Sequence, residues 1–206
     1  GTAGTTRRYA YRLTRDGGAT WLYGDLGTAG SSDGFTTPGT LQIASLYFSE
    51  YIEGGGNNKA IEIYNAGSTT ASLAGCSVRV WPNANTAPNP VLAFTTETIA
   101  AGAVLTVCNT IAGCTKTTGN ANWNGNDTVE LFCGGAIIDS IGKESENPAA
   151  SWGTDPITTV DHTLLRRCDV FAGDPIGTDT FDPAVQWASY AKDTFVYLGA
   201  RNCPLP

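Results

Sequence analysis

The sequence is poor in several residue types. It has no methionine, one histidine (His162), and charged residues at only 15% of its 206 positions. A single histidine, together with cysteines that form no CxxC pair, argues against a structural zinc site. No apolar run reaches the ~20 residues that a membrane-spanning helix requires. Neither an initiator methionine nor a signal peptide is found, so we expect a mature or trimmed product.

Basic residues are also scarce. Twelve Lys and Arg stand against nineteen Asp and Glu, which gives a formal net charge of −7. A protein that binds nucleic acid by neutralising phosphates would present a basic face. The compact basic pairs here are Arg7-Arg8 and Arg166-Arg167, which we interpret as solvent-facing strand residues or partners of nearby acids. We therefore expect no direct nucleic-acid binding.

The main pattern in the chain is a series of short apolar runs separated by turn residues. In residues 60–64, Ile61 and Ile63 share one face, and this period of two predicts a half-buried strand with Glu62 on its exposed face. The Gly/Asn cluster at 54–58 favours a sharp turn before that strand. Runs of this kind predict a β-sandwich, and they span residues 45–53, 60–64, 77–81, 91–99, 104–109, 128–133 and 136–141.

The two ends of the chain differ from this pattern. Residues 1–43 form a separate unit, in which residues 8–15 and 20–23 flank Asp16-Gly17-Gly18 and predict a β-hairpin. About forty residues cannot build a core of their own. The hairpin is a remnant of a preceding domain, a flap docked on the sandwich, or a strand donor to another copy. Residues 44–206 form the main domain.

We expect the C-terminal part of this main domain to be rich in loops. A last strand is predicted at residues 163–167, and an irregular tail follows it. Trp187, Phe195 and Tyr197 of that tail are expected to pin it to the sandwich.

Six cysteines indicate an oxidising compartment, and hence a secreted or cell-surface protein. Cys76 and Cys133 each share a strand face with core-type residues, which suits a bridge between them. Cys114 follows the strand-ending Cys108 by six residues, which suits a local loop. The remaining pair ties back the C-terminal segment, and each closure adds ~2–4 kcal/mol. The predicted disulfides are Cys76–Cys133, Cys108–Cys114 and Cys168–Cys203.

Two groups of residues suggest catalysis. His162, next to Asp161, would need a serine or cysteine nucleophile, but no nucleophile-elbow pattern is present and the cysteines are better explained as bridges. We interpret His162 as a polar strand-edge residue. Glu50, Glu53 and Glu62 resemble a glycosidase carboxylate pair, but Glu62 is expected on an exposed strand face. We predict no catalytic residues.

Other side chains suggest ligands. Oxygen-rich loops can hold calcium, and the weak candidates here are Asp174, Asp179 and Asp182. Their spacing fits no twelve-residue calcium loop, so solvated loop aspartates are favoured and no cofactor is expected beyond an optional structural calcium. Four tryptophans form either a carbohydrate-stacking platform or, as we favour, core plugs and loop anchors: Trp81, Trp123, Trp152 and Trp187.

The turn at residues 124–127 is interpreted as structural, closed by Asx-type bonds. It also contains a formal N-glycosylation acceptor at Asn126.

Several linked segments resemble the lamin-tail domain family, and most closely its bacterial extracellular branch. They are SEYIEGGGNNKAIEIYN (49–65), LAGCSVRVW (73–81), TIAAGAVLTVCN (98–109), NWNGNDTVELF (122–132) and IIDSIGK (137–143). The resemblance continues in SWG (151–153), DHTLLRRCDV (161–170), FDPAVQW (181–187) and DTFVYLG (193–199). It thus covers residues 44–200 and leaves the N-terminal hairpin outside.

The resemblance implies an all-β fold, an immunoglobulin-like β-sandwich of lamin-tail type, to which the N-terminal residues add the predicted β-hairpin appendage. It offers no catalytic centre, since bacterial members are accessory modules of secreted or surface proteins. The first hypothesis is therefore a non-catalytic extracellular module for protein interaction or surface anchoring. The alternatives are a self-assembling surface or filament subunit that uses the N-terminal strands, and an accessory domain of a secreted nuclease or phosphatase.

Overall fold

The alternating runs of the sequence fold into strands that end at turns rich in glycine and asparagine. The structure is a computed structural model, and it describes residues 12–14, 21–23 and 46–205. Contacts between Cα atoms divide the chain into two units, Gly1–Ile43 and Ala44–Pro206. The regular elements of the described residues are one 3-10 turn at Pro183–Val185 and these strands: β1 Arg12–Thr14, β2 Trp21–Tyr23, β3 Leu46–Glu53, β4 Lys59–Asn65, β5 Ala71–Ser72, β6 Cys76–Trp81, β7 Asn89–Ala93, β8 Thr98–Ile99, β9 Val104–Cys108, β10 Lys116–Thr117, β11 Thr128–Cys133, β12 Ala136–Ile141, β13 Gly153–Thr154, β14 Ile157–Thr158, β15 His162–Arg166 and β16 Trp187–Ala191.

Two sheets form the main domain. One has six strands in the order β10-β9-β4-β3-β15-β16, and the other has four in the order β12-β11-β6-β7. Neighbouring strands in both sheets are antiparallel, except that β10 runs parallel to β9. The short pairs β5–β8 and β13–β14 belong to the same unit, while β1 pairs with β2 in the first unit. The all-β prediction is confirmed.

The core lies between the two sheets because alternate residues of both sheets point inward. Phe48, Ile61 and Ile63 of the six-stranded sheet are buried in one cluster with Val78 and Leu131 of the four-stranded sheet. Burying a side chain of this size contributes ~1.5–3 kcal/mol. The predicted period of two in residues 60–64 is therefore correct for the inward face.

A β-bulge in β3 connects the two sheets. The register with β4 shifts between Phe48 and Glu50, so Ser49 is an extra residue in that strand. The bulge leaves the Phe48 N–H free of the ladder, and it donates to Asp139 Oδ2 of β12 at 2.7 Å. As a result, Phe48 faces the core while Glu50 faces the outer side of the six-stranded sheet.

Three disulfides brace the main domain, and they join the same pairs that the sequence analysis predicts. Cys76 and Cys133 are directly opposed on β6 and β11, so their bridge links neighbouring strands of one sheet. Cys108–Cys114 closes a six-residue separation after β9, and Cys168–Cys203 holds the end of the chain against the segment after β15.

Strand β16 departs from the prediction of an irregular C-terminal tail. Its residues pair with β15 from Arg166↔Trp187 to His162↔Ala191 and extend the six-stranded sheet by one strand. The predicted run at 91–99 also differs, because it divides into β7 and β8, which belong to different sheets. The predicted turn of the N-terminal hairpin, at Asp16–Gly18, lies outside the described residues.

Candidate functional site

Two carboxylates face each other on the outer side of the six-stranded sheet. The register of β3 and β4 places Glu50 opposite Glu62, and each is only 1% exposed. The sequence prediction that Glu62 lies on an exposed strand face is therefore wrong. Strand alternation correctly predicts that Glu62 lies on the outer face of the sheet. That face is not exposed, however, because a later part of the chain covers it.

Residues 194–203, here called the C-terminal strap, provide this cover. Phe195 and Leu198 pack against a small apolar cluster formed by Ile52, Ala60 and Cys108. At its end the strap is bonded covalently through Cys168–Cys203. A ring contact joins Tyr197 of the strap to Tyr190 of β16, with ring centroids 4.9 Å apart. The prediction that tail aromatics pin the chain to the sandwich is confirmed.

Polar contacts fix the strap over the carboxylates. The Gly199 N–H donates to Glu62 Oε2 at 2.7 Å, and the Ser49 hydroxyl donates to Glu62 Oε1 at 2.6 Å. The Arg201 guanidinium lies 5.5 Å from the ring centroid of Tyr64 and donates to the Arg166 C=O at 2.8 Å. Glu62 is thus satisfied by the chain itself.

Glu50 differs from Glu62 in having no hydrogen-bond partner at either carboxylate oxygen. Burial, and then the charge of Glu62, raise the pKa of Glu50 to about 8. Burial also raises the pKa of Glu62, while the hydrogen bonds from Ser49 and Gly199 oppose that rise. Glu50 is therefore mostly protonated at pH 7. Both groups are closed to solvent, so the pair does not meet a substrate. What it affects is the free energy of unfolding.

A buried ion pair connects the two sheets. Arg166 of β15 donates to Asp139 of β12 at 3.1 Å, and both side chains are fully buried. Asp139 also accepts the N–H of Asp174, and the Arg166 guanidinium lies 4.4 Å from the Trp187 ring. Burial raises the pKa of Asp139 and the charge of Arg166 opposes it. The interpretation of Arg166 as a solvent-facing residue is wrong, although it does pair with an acid.

The glycine- and asparagine-rich loop between β3 and β4 is held by charges at both ends. Lys59 forms a buried ion pair with Glu53 and donates to the Gly54 C=O at 2.6 Å. Asp193 accepts the N–H of Gly55 at 2.9 Å and the Asn58 amide at 3.0 Å. Glu53 is therefore separate from Glu50 and Glu62, and the predicted turn is a structural feature.

The strands and sheets just described agree with a known family. A family model described as the Lamin Tail Domain matches residues 40–145, which is half of the chain. This chain belongs to the lamin tail domain family. That family is non-enzymatic and immunoglobulin-like, so the predicted immunoglobulin-like sandwich is confirmed. A search of curated proteins found no significant match.

The family match ends before β13, so the lamin-tail domain of this chain is extended by β13 to β16 and the C-terminal strap. In the described residues, no helix is long and apolar enough to cross a membrane.

His162 stands at the start of β15 in this lamin-tail domain. Its Nδ1 lies 2.7 Å from the Val160 C=O, and the neighbouring Asp161 forms an ion pair with Lys192. All six cysteines are bonded in disulfides, so none is available as a nucleophile for His162.

The calcium candidates lie in the loops between β15 and β16. Asp182 accepts the Ala184 N–H at 2.9 Å and caps the 3-10 turn. Asp174 accepts the Ile176 N–H at 3.1 Å, and Asp179 is exposed. Across the part of the chain that the structure describes, no group of three or more His, Cys, Asp or Glu side chains could hold a metal ion.

The tryptophans of the lamin-tail domain are core plugs, as favoured from the sequence. All four candidates are buried, so none presents a face on which a sugar could stack: Trp81, Trp123, Trp152 and Trp187. Trp123 donates to the Ile52 C=O at 3.0 Å, and Trp152 donates to the Asp127 C=O at 3.2 Å.

The turn at residues 124–127 is closed by Asp127, whose carboxylate accepts the N–H groups of Asn124 at 3.1 Å and Asn83 at 2.8 Å. The turn is thus structural and closed by a side-chain-to-backbone bond, but that bond runs back three residues rather than forward two as in an Asx turn. Asn126 uses its amide nitrogen to donate to Asn147 at 2.7 Å and to the Pro148 C=O at 3.2 Å. The nitrogen that a glycan would modify is therefore engaged in the folded protein.

Proposed function

We propose that this lamin-tail domain is a non-catalytic extracellular module that mediates protein interaction or surface anchoring. The observation that carries the proposal is that the buried acidic side chains are bonded within the fold or closed to solvent. Asp139 bonds Arg166 and two backbone N–H groups, Glu62 bonds Ser49 and Gly199, and Glu50 is buried opposite Glu62. Acids that the protein bonds or buries in this way are parts of a scaffold, so we infer that the module acts through its outer surface.

The disulfides support the extracellular part of the proposal. Each contributes ~2–4 kcal/mol, and such bonds persist in oxidising compartments. Cys168–Cys203 has a further consequence, since it anchors the strap that closes over Glu50 and Glu62. A reducing compartment would release that anchor, so the fold described here suits an oxidising environment.

Two measurements test the proposed function. The purified protein should turn over neither DNA nor phosphate esters in the presence of divalent metals, and robust turnover would refute the non-catalytic assignment. Immobilised protein should capture specific partners from the cell-surface and culture fractions of its source, and lose them when its disulfides are reduced. Failure to retain any partner under oxidising conditions would refute the interaction role.

One observation favours self-assembly as a second candidate. Strands β1 and β2 have three residues each, and they form a sheet of their own among the described residues. A two-stranded hairpin is marginally stable in water, so donation to a neighbouring molecule would stabilise it. Size-exclusion chromatography with light scattering tests this: assembly that disappears on deletion of residues 1–43 supports it, and a monomer at every concentration refutes it.

A further inference from the structure

Only one asparagine in the sequence is followed directly by glycine, and the pair is Asn124-Gly125. Glycine has no Cβ to crowd its own backbone nitrogen. That nitrogen can therefore attack the side-chain amide carbon of the preceding asparagine and close a succinimide ring. The pair lies in the turn just before β11, so the fold determines whether the two groups are available to react.

The reacting groups of this pair are not engaged in other bonds. Asn124 is exposed, and within the described residues its side chain makes no hydrogen bond, since the bond to Asp127 uses its backbone N–H. The Gly125 N–H has no partner in the same part of the chain. Neither the attacking nitrogen nor the amide that it attacks has to break a hydrogen bond before they react.

Other turn asparagines are held by their amide nitrogens. Asn126 of the same turn donates to Asn147 at 2.7 Å and to the Pro148 C=O at 3.2 Å. Asn58 donates to Asp193 at 3.0 Å. An amide that donates in this way is fixed in orientation, and it must give up its bonds before it can rotate onto the next backbone nitrogen.

We propose that Asn124 is a site of spontaneous covalent modification in the folded protein, where deamidation yields aspartate and isoaspartate. The Gly125 nitrogen forms a bond to Asn124 Cγ, the Cγ–Nδ2 bond breaks, and the Gly125 N–H proton leaves with the amide group as ammonia. Water then opens the ring at either of its carbonyl carbons. Addition at Cγ gives aspartate, whereas addition at the main-chain carbonyl gives isoaspartate, whose backbone runs through the side chain.

Both products place a carboxylate where the turn already has one. The Asp127 carboxylate accepts the N–H groups of Asn124 at 3.1 Å and Asn83 at 2.8 Å, and burial raises its pKa. A second negative charge beside it disfavours its charged form further. We therefore expect deamidation to weaken the bonds by which Asp127 closes the turn.

Isoaspartate has a second effect, because it lengthens the backbone by one carbon atom. Gly125 has no room for this change: a Cβ there would lie 2.7 Å from Val160 Cα. The Thr159 hydroxyl also donates to the Gly125 C=O. The turn is thus held against the connection between β14 and β15, and a longer backbone would displace these contacts.

The test incubates the full chain, with its disulfides intact, in mildly alkaline buffer, because the attacking nitrogen must lose its proton. Peptide mass spectrometry that distinguishes aspartate from isoaspartate then follows each asparagine over time. Asn124 should deamidate about tenfold or more faster than Asn126, which corresponds to a barrier lower by about 1.4 kcal/mol. Asn124→Gln is the matched control, because its extra methylene moves the amide carbon away from the Gly125 nitrogen, and its isoelectric point should not change with time.

Two further measurements test the role of the fold. Deamidation of Asn124 in the folded protein should be within about tenfold of its rate in urea. In the modified fraction, amide hydrogen exchange at Asn83 should be faster than in the original protein, because its bond to Asp127 is weakened. Asn124→Asp adds the charge without lengthening the backbone, and so separates the effects of the two products.

Three results would overturn the modification site: Asn124 that keeps its amide in the folded protein, deamidation there that occurs only in urea, or equal rates at Asn124 and Asn126. Unchanged hydrogen exchange at Asn83 in the modified fraction would overturn the expected effect on the turn. If Asn124→Gln lowers the melting temperature, Asn124→Ser replaces it, since serine has no amide to lose.

Discussion

Replacing Glu50 by glutamine tests the buried carboxylate pair most directly. Glu50 is 1% exposed, has no hydrogen-bond partner and lies opposite Glu62. Its pKa rises from 4.5 to about 8 on folding, so between these pH values the folded protein binds more protons than the unfolded chain. The free energy of unfolding therefore decreases as pH rises from 4.5 towards 8.

The size of this effect follows from the shift. At about 1.36 kcal/mol per pH unit, a shift of roughly 3.5 units amounts to roughly 5 kcal/mol of stability lost by pH 8. Glutamine does not titrate, so Glu50→Gln removes this contribution to the slope of the free energy of unfolding against pH. The buried amide lacks a partner and costs about 1–3 kcal/mol at every pH. The difference in slope, rather than the stability at one pH, is therefore the diagnostic quantity.

Urea denaturation at several pH values, with the disulfides intact, measures that slope. We expect the stability of Glu50→Gln relative to the original protein to increase by several kcal/mol between pH 4 and pH 8. Glu146→Gln is the control, because Glu146 is exposed and paired with Lys143; its stability should change by only ~0.5 kcal/mol. If the free energy of unfolding changed with pH in the same way for Glu50→Gln and the original protein, the assignment of Glu50 as a buried neutral acid would be refuted.

Three further predictions concern other contacts of the domain. Asp139→Asn leaves Arg166 buried without its counter-ion and should lower the free energy of unfolding by about 3–5 kcal/mol in urea; an unchanged midpoint would contradict the buried ion pair. Replacing Cys168 and Cys203 by serine should cost about 2–4 kcal/mol and speed hydrogen exchange at the Gly199 amide; unchanged exchange there would show that the strap needs no anchor. Gly142→Ala should lower the melting temperature through a loss of roughly 1–3 kcal/mol, because φ is +96° and the new Cβ would lie 2.6 Å from Thr128 Oγ1. Gly56→Ala, at φ +57° with open space around it, is the control for backbone strain alone and should lose about 1 kcal/mol.

Local patterns predicted most of the strands. The period of two in residues 60–64 predicted β4. Strand parity predicted the Cys76–Cys133 pair, short separation predicted Cys108–Cys114, and Cys168–Cys203 was the pair that remained. Strand β16 was missed because WASYA follows a proline-containing loop and has weak alternation. Its tyrosine at 190 and tryptophan at 187 were the available signal, since aromatic residues favour strands.

Burial on the outer face of a sheet is a different kind of property. Strand alternation states which face Glu62 occupies, but the cover comes from Gly199 and its neighbours, 137 residues further along the chain. Arg166 is similar, since its partner Asp139 lies on the other sheet. No short-range pattern contains such pairings, and so the burial of these charges was predicted wrongly.

The sequence by itself determined the β class, the lamin-tail family and the cysteine pairs, because each depends on spacing along the chain. Only the tertiary structure decided which outer sheet face is covered and which acids are buried. The strap packs on the outer face of the six-stranded sheet and bonds Glu62, and β16, which local patterns did not predict, is an edge strand of that sheet. Whether a strand face is buried or exposed depends on which distant segments of the chain pack on it, and those contacts exist only in the folded protein.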